Sequence, residues 1–163
     1  MLHQVILETI VLLLPAAAAN ITPVIAARYN WLPALGRPLD ANRTFRGKRI
    51  FGPHKTWRGL IVGVATGSLV GYFLHSASLG AALAAGALGG DALKSFVKRQ
   101  FNIAPGKPWP PFDQIDAALG ALLVASFIFP LTFAHVIVAL MFFGAGSYCT
   151  SYIGVKLKIK KSL

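Results

Sequence analysis

The chain has 163 residues, 55% of them hydrophobic and only 13% charged, with a formal net charge of +11 and a mean hydropathy of +0.62. A soluble domain of this size carries roughly twice that charged fraction, so a soluble enzyme and a soluble nucleic-acid binder are both disfavoured and no nucleic-acid partner is expected. One domain over 1–163 is the size expectation, and the single Cys149 rules out an internal disulfide framework.

All 16 Lys and Arg residues fall in three clusters, at 28–58, 94–107 and 156–161, while the stretches 2–27, 59–93 and 114–154 contain none. Basic groups held at the ends of apolar segments mark the cytoplasmic side and meet anionic headgroups. The pattern predicts an all-α integral membrane protein of the cell membrane, multi-pass, with about five transmembrane helices. The N-terminus is outside and the C-terminus cytoplasmic. A long basic first loop (28–56), a second loop (98–112) and the tail (156–163) all face the cytoplasm.

The first predicted helix covers about 5–27, close to the roughly 20 residues a span needs. Its alanine run resembles a signal-peptide cleavage site, but Glu8 interrupts the apolar stretch and no Lys or Arg precedes it, so it is read as a retained helix. Pro15 and Pro23 predict a kink or break. Asn20 and Thr22 either satisfy the backbone groups that proline frees or line a polar pocket.

The loop 28–56 is long for so small a chain, and loops of that length are usually functional or disordered. It ends in Gly52-Pro53-His54-Lys55-Thr56-Trp57-Arg58-Gly59. Glycines there allow a ligand to approach the backbone, and Lys or Arg supply charge to phosphates. The alternative is a headgroup anchor with Trp31 and Trp57 at the interface. Asp40, Arg43 and Arg46 lie in the same loop and are candidate substrate contacts by charge and position.

The second helix, about 57–74, carries Gly59, Gly63, Gly67 and Gly71 at four-residue spacing, a row suited to close helix packing. A tight turn leads to the third helix, about 79–97. There Asp91 follows two glycines inside an apolar run, where an ionisable residue is costly unless paired, hydrated or metal-bound. Asp91, Lys94, Ser95, Lys98 and Arg99 share one helix face. The alternative is an internal Asp–Lys ion pair with Lys98 and Arg99 as snorkelling anchors. Lys107 lies in the following loop.

The fourth helix, about 113–129, opens with Asp113 and Asp116, whose spacing lets both carboxylates face one way. They either cap the helix or, with Asp91, form a three-carboxylate site for a hard divalent cation, Mg²⁺ being usual where phosphates complete the shell. The fifth helix runs from about 136 to 155. The chain contains no G-x-x-x-x-G-K-[ST] phosphate loop, no Cys/His cluster and no credible Ser-His-Asp set.

These residues resemble the membrane CTP:phosphatidate cytidylyltransferase family, and most of all its short archaeal branch, the CDP-archaeol synthases. Gly90-Asp91-Ala92-Leu93-Lys94-Ser95-Phe96-Val97-Lys98-Arg99 is similar to the family's G-D-x-x-x-S-x-x-K-R. Pro111-Phe112-Asp113-Gln114-Ile115-Asp116 is similar to the end of that signature, and Pro53-His54-Lys55-Thr56-Trp57-Arg58-Gly59 to its P-x-K-T-W-x-G element. Arg58 stands where longer members usually have Glu, and Trp109-Pro110-Pro111-Phe112 replaces a His-Gly-Gly.

The resemblance implies a CTP-dependent nucleotidyltransferase that moves CMP onto an ether-lipid phosphate of the unsaturated archaetidic acid type, drawn from the inner leaflet. It implies that Asp91, Asp113 and Asp116 hold Mg²⁺, that Lys98 and Arg99 act with them, and that Lys55, Thr56, Ser95, Lys94 and His54 contact substrate. Two other classes remain: a CTP-dependent polyprenol kinase, and a non-enzymatic anion-binding or transport protein. A homodimer is also left open.

Overall fold

The computed structural model describes residues 2–156, so the tail lysines Lys158, Lys160 and Lys161 lie outside the described residues. It contains five α-helices: α1 (Leu2–Arg28), α2 (Trp57–Phe73), α3 (Ala77–Gln100), α4 (Phe112–Ser126) and α5 (Phe133–Lys156). All five lie within a few residues of the segments predicted from the sequence. Among the described residues, two helices are long and apolar enough to cross a membrane by length and composition, Leu2–Arg28 and Phe133–Thr150.

The helices carry their large apolar side chains outwards. Leu7, Leu69, Leu93, Leu123 and Met141 are all exposed, while the interior is built largely of Ala16, Ala19, Ala84, Ala87, Ala118 and Ala121. Water would not favour that surface. Hydrocarbon would, because helix association in lipid relies on close van der Waals contact through small residues. The glycine row of α2 is such a contact, since Gly63, Gly67 and Gly71 are the buried residues of that helix.

α1 differs from expectation. Despite Pro15 and Pro23 it is one continuous helix. The Thr22 hydroxyl donates to the Ala18 carbonyl at 2.6 Å, and the Ala19 carbonyl, which Pro23 cannot satisfy, faces α2 where only Gly63 lets it fit. Asn20 takes the other predicted role and lines a cavity.

Loop 28–56 is folded, and it adds a β element that an all-α reading omits. A short 3-10 turn (Pro33–Leu35) precedes a hairpin of β1 (Thr44–Phe45) and β2 (Lys48–Arg49), paired antiparallel. Its turn residues Arg46 and Gly47 both have positive φ, 53° and 75°, which suits a tight hairpin turn. The hairpin rests on the end of α3. Phe45 packs on Phe96 at 5.8 Å between centroids, and the Lys48 ammonium donates to the Gln100 carbonyl at 2.6 Å.

Candidate active site

Three elements converge at the end of the bundle that carries the basic clusters. α2 begins there, capped by Thr56, whose hydroxyl accepts from the Gly59 N–H at 3.1 Å. The cap fixes Lys55 just outside the helix, aimed at α3. α4 begins there too, and Gly90 brings it against α3. A Cβ on Gly90 would press on the Asp116 carbonyl and reach Gly120 Cα at 3.2 Å. The absence of that Cβ sets Asp91 beside Asp116.

The result is a closed charge network. Lys94 Nζ lies 3.1 Å from Asp91 Oδ1, 3.0 Å from Asp113 Oδ1 and 2.8 Å from Asp116 Oδ2. Lys55 pairs with the other oxygen of Asp91. Lys98 lies 3.1 Å from both oxygens of Asp113 and donates to the Lys107 carbonyl. Three carboxylates thus face three ammonium groups. The Trp109 N–H also donates to Asp113.

This geometry corrects one sequence alternative and half of another, since the internal Asp91–Lys94 ion pair is present. Asp113 and Asp116 do not cap α4, whose N-cap is Pro111 with no side-chain cap bond. Lys98 and Arg99 are not anchors at the lipid interface, because both are buried, 7% and 9% exposed. Burying a cation without a partner is costly, and among the described residues the buried Nε and Nη1 of Arg99 have no hydrogen-bond partner. Those donors belong to the wall of a cavity of about 260 Å³ that Lys55, Lys94, Ser95 and Lys98 also line.

A second, larger cavity of about 820 Å³ runs along α1, α2 and α3, with Val24, Leu60, Leu88 and Asp91 among its walls. Phe51, His54 and Lys55 line both cavities. They form the wall the two share.

The structure does not bring every candidate residue to these cavities. Asp40 is a correction. Its side chain is fully buried, with Arg49 Nη2 at 2.6 Å, and it accepts the backbone N–H groups of Asn42, Phe51 and Gly52. Burial alone would push its carboxyl up, but the Arg49 guanidinium and the three N–H groups prevail and hold it at about 2. Asp40 therefore fastens the loop, its carboxylate engaged by partners within the same segment. Arg43, Arg46 and Lys107 are exposed and line neither cavity. Arg46 lies 5.3 Å over the Phe45 ring, and Lys107 contributes only its carbonyl. The Ser95 hydroxyl donates to the Asp91 carbonyl at 2.9 Å. Arg58, which had no assigned part, donates to Asn30 Oδ1 at 2.9 Å and to the Trp31 carbonyl, fixing the turn after α1 to the start of α2.

The three carboxylates present hard oxygen donors around one point, the set that suits Mg²⁺. At present the Lys94 ammonium stands at that point. Among the described residues no three acidic, histidine or cysteine side chains are close enough to hold a metal ion directly, and the point on which these three carboxylates converge is held by the Lys94 ammonium.

Comparison with known proteins agrees with this architecture. The family model described as CarS-like, CDP-archaeol synthase, matches residues 2–78 and 72–163. The chain is similar to the CDP-archaeol synthase of Pyrobaculum aerophilum, 36% identical over 157 residues, covering 92% of this chain and 93% of that protein. It is similar to that of Aeropyrum pernix, 43% identical over 128 residues and 74% and 70% of the two chains. It is also similar to that of Pyrococcus furiosus, 35% identical over 95% and 96%. A solved structure, described as an intramembrane enzyme for archaeal membrane lipids biosynthesis, superposes with a TM-score of 0.78 at 37% identity, over 89% of this chain and 93% of that one. These matches carry the membrane setting and the fold together, and the chain belongs to the CDP-archaeol synthase family.

Proposed function

We propose that the chain transfers CMP from CTP to an ether-linked glycerol phosphate bearing two isoprenoid chains, giving CDP-archaeol and pyrophosphate. It does so as a multi-pass protein of the cell membrane with five spans and its site on the cytoplasmic side. The observation that carries this reading is the wall that Phe51, His54 and Lys55 form between a mostly apolar cavity and a small cationic one. The apolar cavity accepts the isoprenoid chains, with the lipid phosphate beside Asp91. The cationic cavity accepts the triphosphate from water.

The chemistry needs no protein nucleophile. A non-bridging oxygen of the lipid phosphate forms a bond to the α-phosphorus of CTP. The bond from that phosphorus to the α–β bridging oxygen breaks, and its electron pair leaves with pyrophosphate. The protein's part is placement and charge neutralisation. Lys55, at the shared wall, lies within reach of both phosphates. The unpaired Nε and Nη1 of Arg99 offer donors to the leaving pyrophosphate, while Lys98, its three donors taken by Asp113 and the Lys107 carbonyl, holds Asp113 in place. Asp91, Asp113 and Asp116 would hold Mg²⁺, which when bound neutralises charge on the attacking and leaving oxygens. The low charge of the surrounding helices strengthens each of these interactions relative to water.

Purified protein given CTP, Mg²⁺ and the ether-lipid phosphate should form a CDP-lipid and pyrophosphate in equal amounts. A phosphorylated alcohol with CDP as co-product would identify a kinase instead. Binding without turnover would identify a transport or anion-binding protein.

A further inference from the structure

We propose that Lys94 is a built-in counter-ion for the carboxylate triad: its ammonium holds Asp91, Asp113 and Asp116 together and withdraws into the adjoining anion cavity when a divalent cation takes its place. The inference rests on the proposed metal site and goes beyond it by giving that site a resident competitor.

The argument starts from donor counting. An ammonium has three N–H donors and no acceptor. Lys94 spends one on each of three different carboxylates, at 2.8–3.1 Å. In that position it has no donor left for a phosphate, so it cannot serve substrate where it stands. Its side chain is 15% exposed, and it is the group that ties Asp91 on α3 to Asp113 and Asp116 on α4. Without it, three carboxylates would face one another, with Lys55 on the outer oxygen of Asp91, Lys98 on both oxygens of Asp113, and, among the described residues, no other cation at Asp116.

A divalent cation cannot share that centre. Mg²⁺ binds oxygen at about 2.0–2.1 Å, so the triad must also contract by roughly 1 Å from its spacing around the ammonium. The contraction explains why the carboxylates converge yet do not already form a chelating group. The displaced ammonium has somewhere to go, because Lys94 also lines the cationic cavity beside Lys98 and Arg99. There its three donors become available to a polyphosphate. Metal entry and anion binding are then coupled through one side chain, and such coupling is reciprocal.

The test uses Mn²⁺ as the probe, titrated into the detergent-purified full chain without substrate and followed by the electron paramagnetic resonance of free Mn²⁺. Wild type, Lys94→Met, Lys94→Arg and Asp91→Asn are compared, and thermal unfolding is measured in chelator and in Mn²⁺. Lys94→Met should bind Mn²⁺ at least tenfold more tightly than wild type, about 1.4 kcal/mol, while unfolding at a lower temperature in chelator. Mn²⁺ should raise its unfolding temperature more than it raises that of wild type. Lys94→Arg, which keeps the cation, should recover stability in chelator. If Lys94→Met folds only when purified in Mn²⁺, chelator should unfold it under conditions wild type survives. A lysine with a merely structural role would lower stability equally with and without Mn²⁺ and leave affinity unchanged. Unchanged or weaker Mn²⁺ binding in Lys94→Met, with binding still lost in Asp91→Asn, would overturn the inference and leave the metal site standing. Absence of any Asp91-dependent Mn²⁺ binding would overturn both.

Discussion

Asp40 and Asp91 are both aspartates beside basic partners, and they differ in what else they touch. Asp40 is spent on one guanidinium and three backbone N–H groups, a closed set with no face towards a cavity. Asp91 has only ammonium partners, on side chains that can move. The difference predicts distinct responses to substitution. Asp40 has a folded pKa of about 2 against an ordinary 3.8. A depressed carboxyl contributes stability above the unfolded value and loses it as pH falls through the folded one. Asp40→Asn should therefore cost about 2 kcal/mol above pH ~4, and the gap in unfolding temperature from wild type should close between pH ~4 and ~2. A gap that persists unchanged to the lowest pH would mean that the ionised form is not what holds the loop. Charge and loop position placed Asp40 among the substrate contacts. The better signal was local: Asp40 stands two residues before Asn42, whose N–H it accepts at 3.0 Å, the pattern of an Asx turn. Arg99 went the other way, since its place on the Asp91 face was legible but its unpaired burial was not.

At the scale of elements, the helices were legible because apolar runs of span length bounded by charge leave few alternatives. The second helix was expected at about 57–74 and is found at Trp57–Phe73. The hairpin was not legible, because strands of two residues carry no periodicity. The convergence of three carboxylates on Lys94 was not legible either. It depends on how closely α4 approaches α3, and Gly90 decides that. Gly90→Ala would force a methyl against the Asp116 carbonyl, and overpacking of this kind costs about 1–3 kcal/mol. It should also move Asp116 away from Asp91 and lower kcat more than it raises KM for CTP. Gly144→Ala is the control. It lies in α5 with nothing within 4 Å of an added Cβ, so it should leave activity unchanged and helix stability equal or better. Equal kinetic losses in the two variants would show that the α3–α4 spacing does not set the site.

The whole molecule is polar in one direction. The ends of α1 and α3 and the starts of α2 and α4 gather at the site, and every Lys and Arg of the sequence falls in or beside that end or the tail. The opposite end has turns at His75 and at Pro130–Thr132 with no cation. That asymmetry serves two purposes at once. In the proposed topology it orients the chain by retaining basic segments in the cytoplasm, and it puts the cationic cavity where nucleotides are. Under the proposed orientation the apolar cavity beside it lies within the inner leaflet, so the lipid phosphate would enter sideways and CTP from water. Single-cysteine labelling in a Cys149→Ser background reads the orientation directly. Phe45→Cys and Ala104→Cys, both exposed, should react with a membrane-impermeant maleimide only when the cytoplasmic face is open. His75→Cys, exposed in the turn between α2 and α3, should react only from outside. The three sites together separate orientation from span count: reversal of all three would invert the chain, whereas His75→Cys labelling on the same side as Phe45→Cys would remove α2 from the set of spanning helices. In the second case the glycine row of α2 would have to pack a helix that dips into the bilayer and returns, and the apolar cavity would open to water along its length.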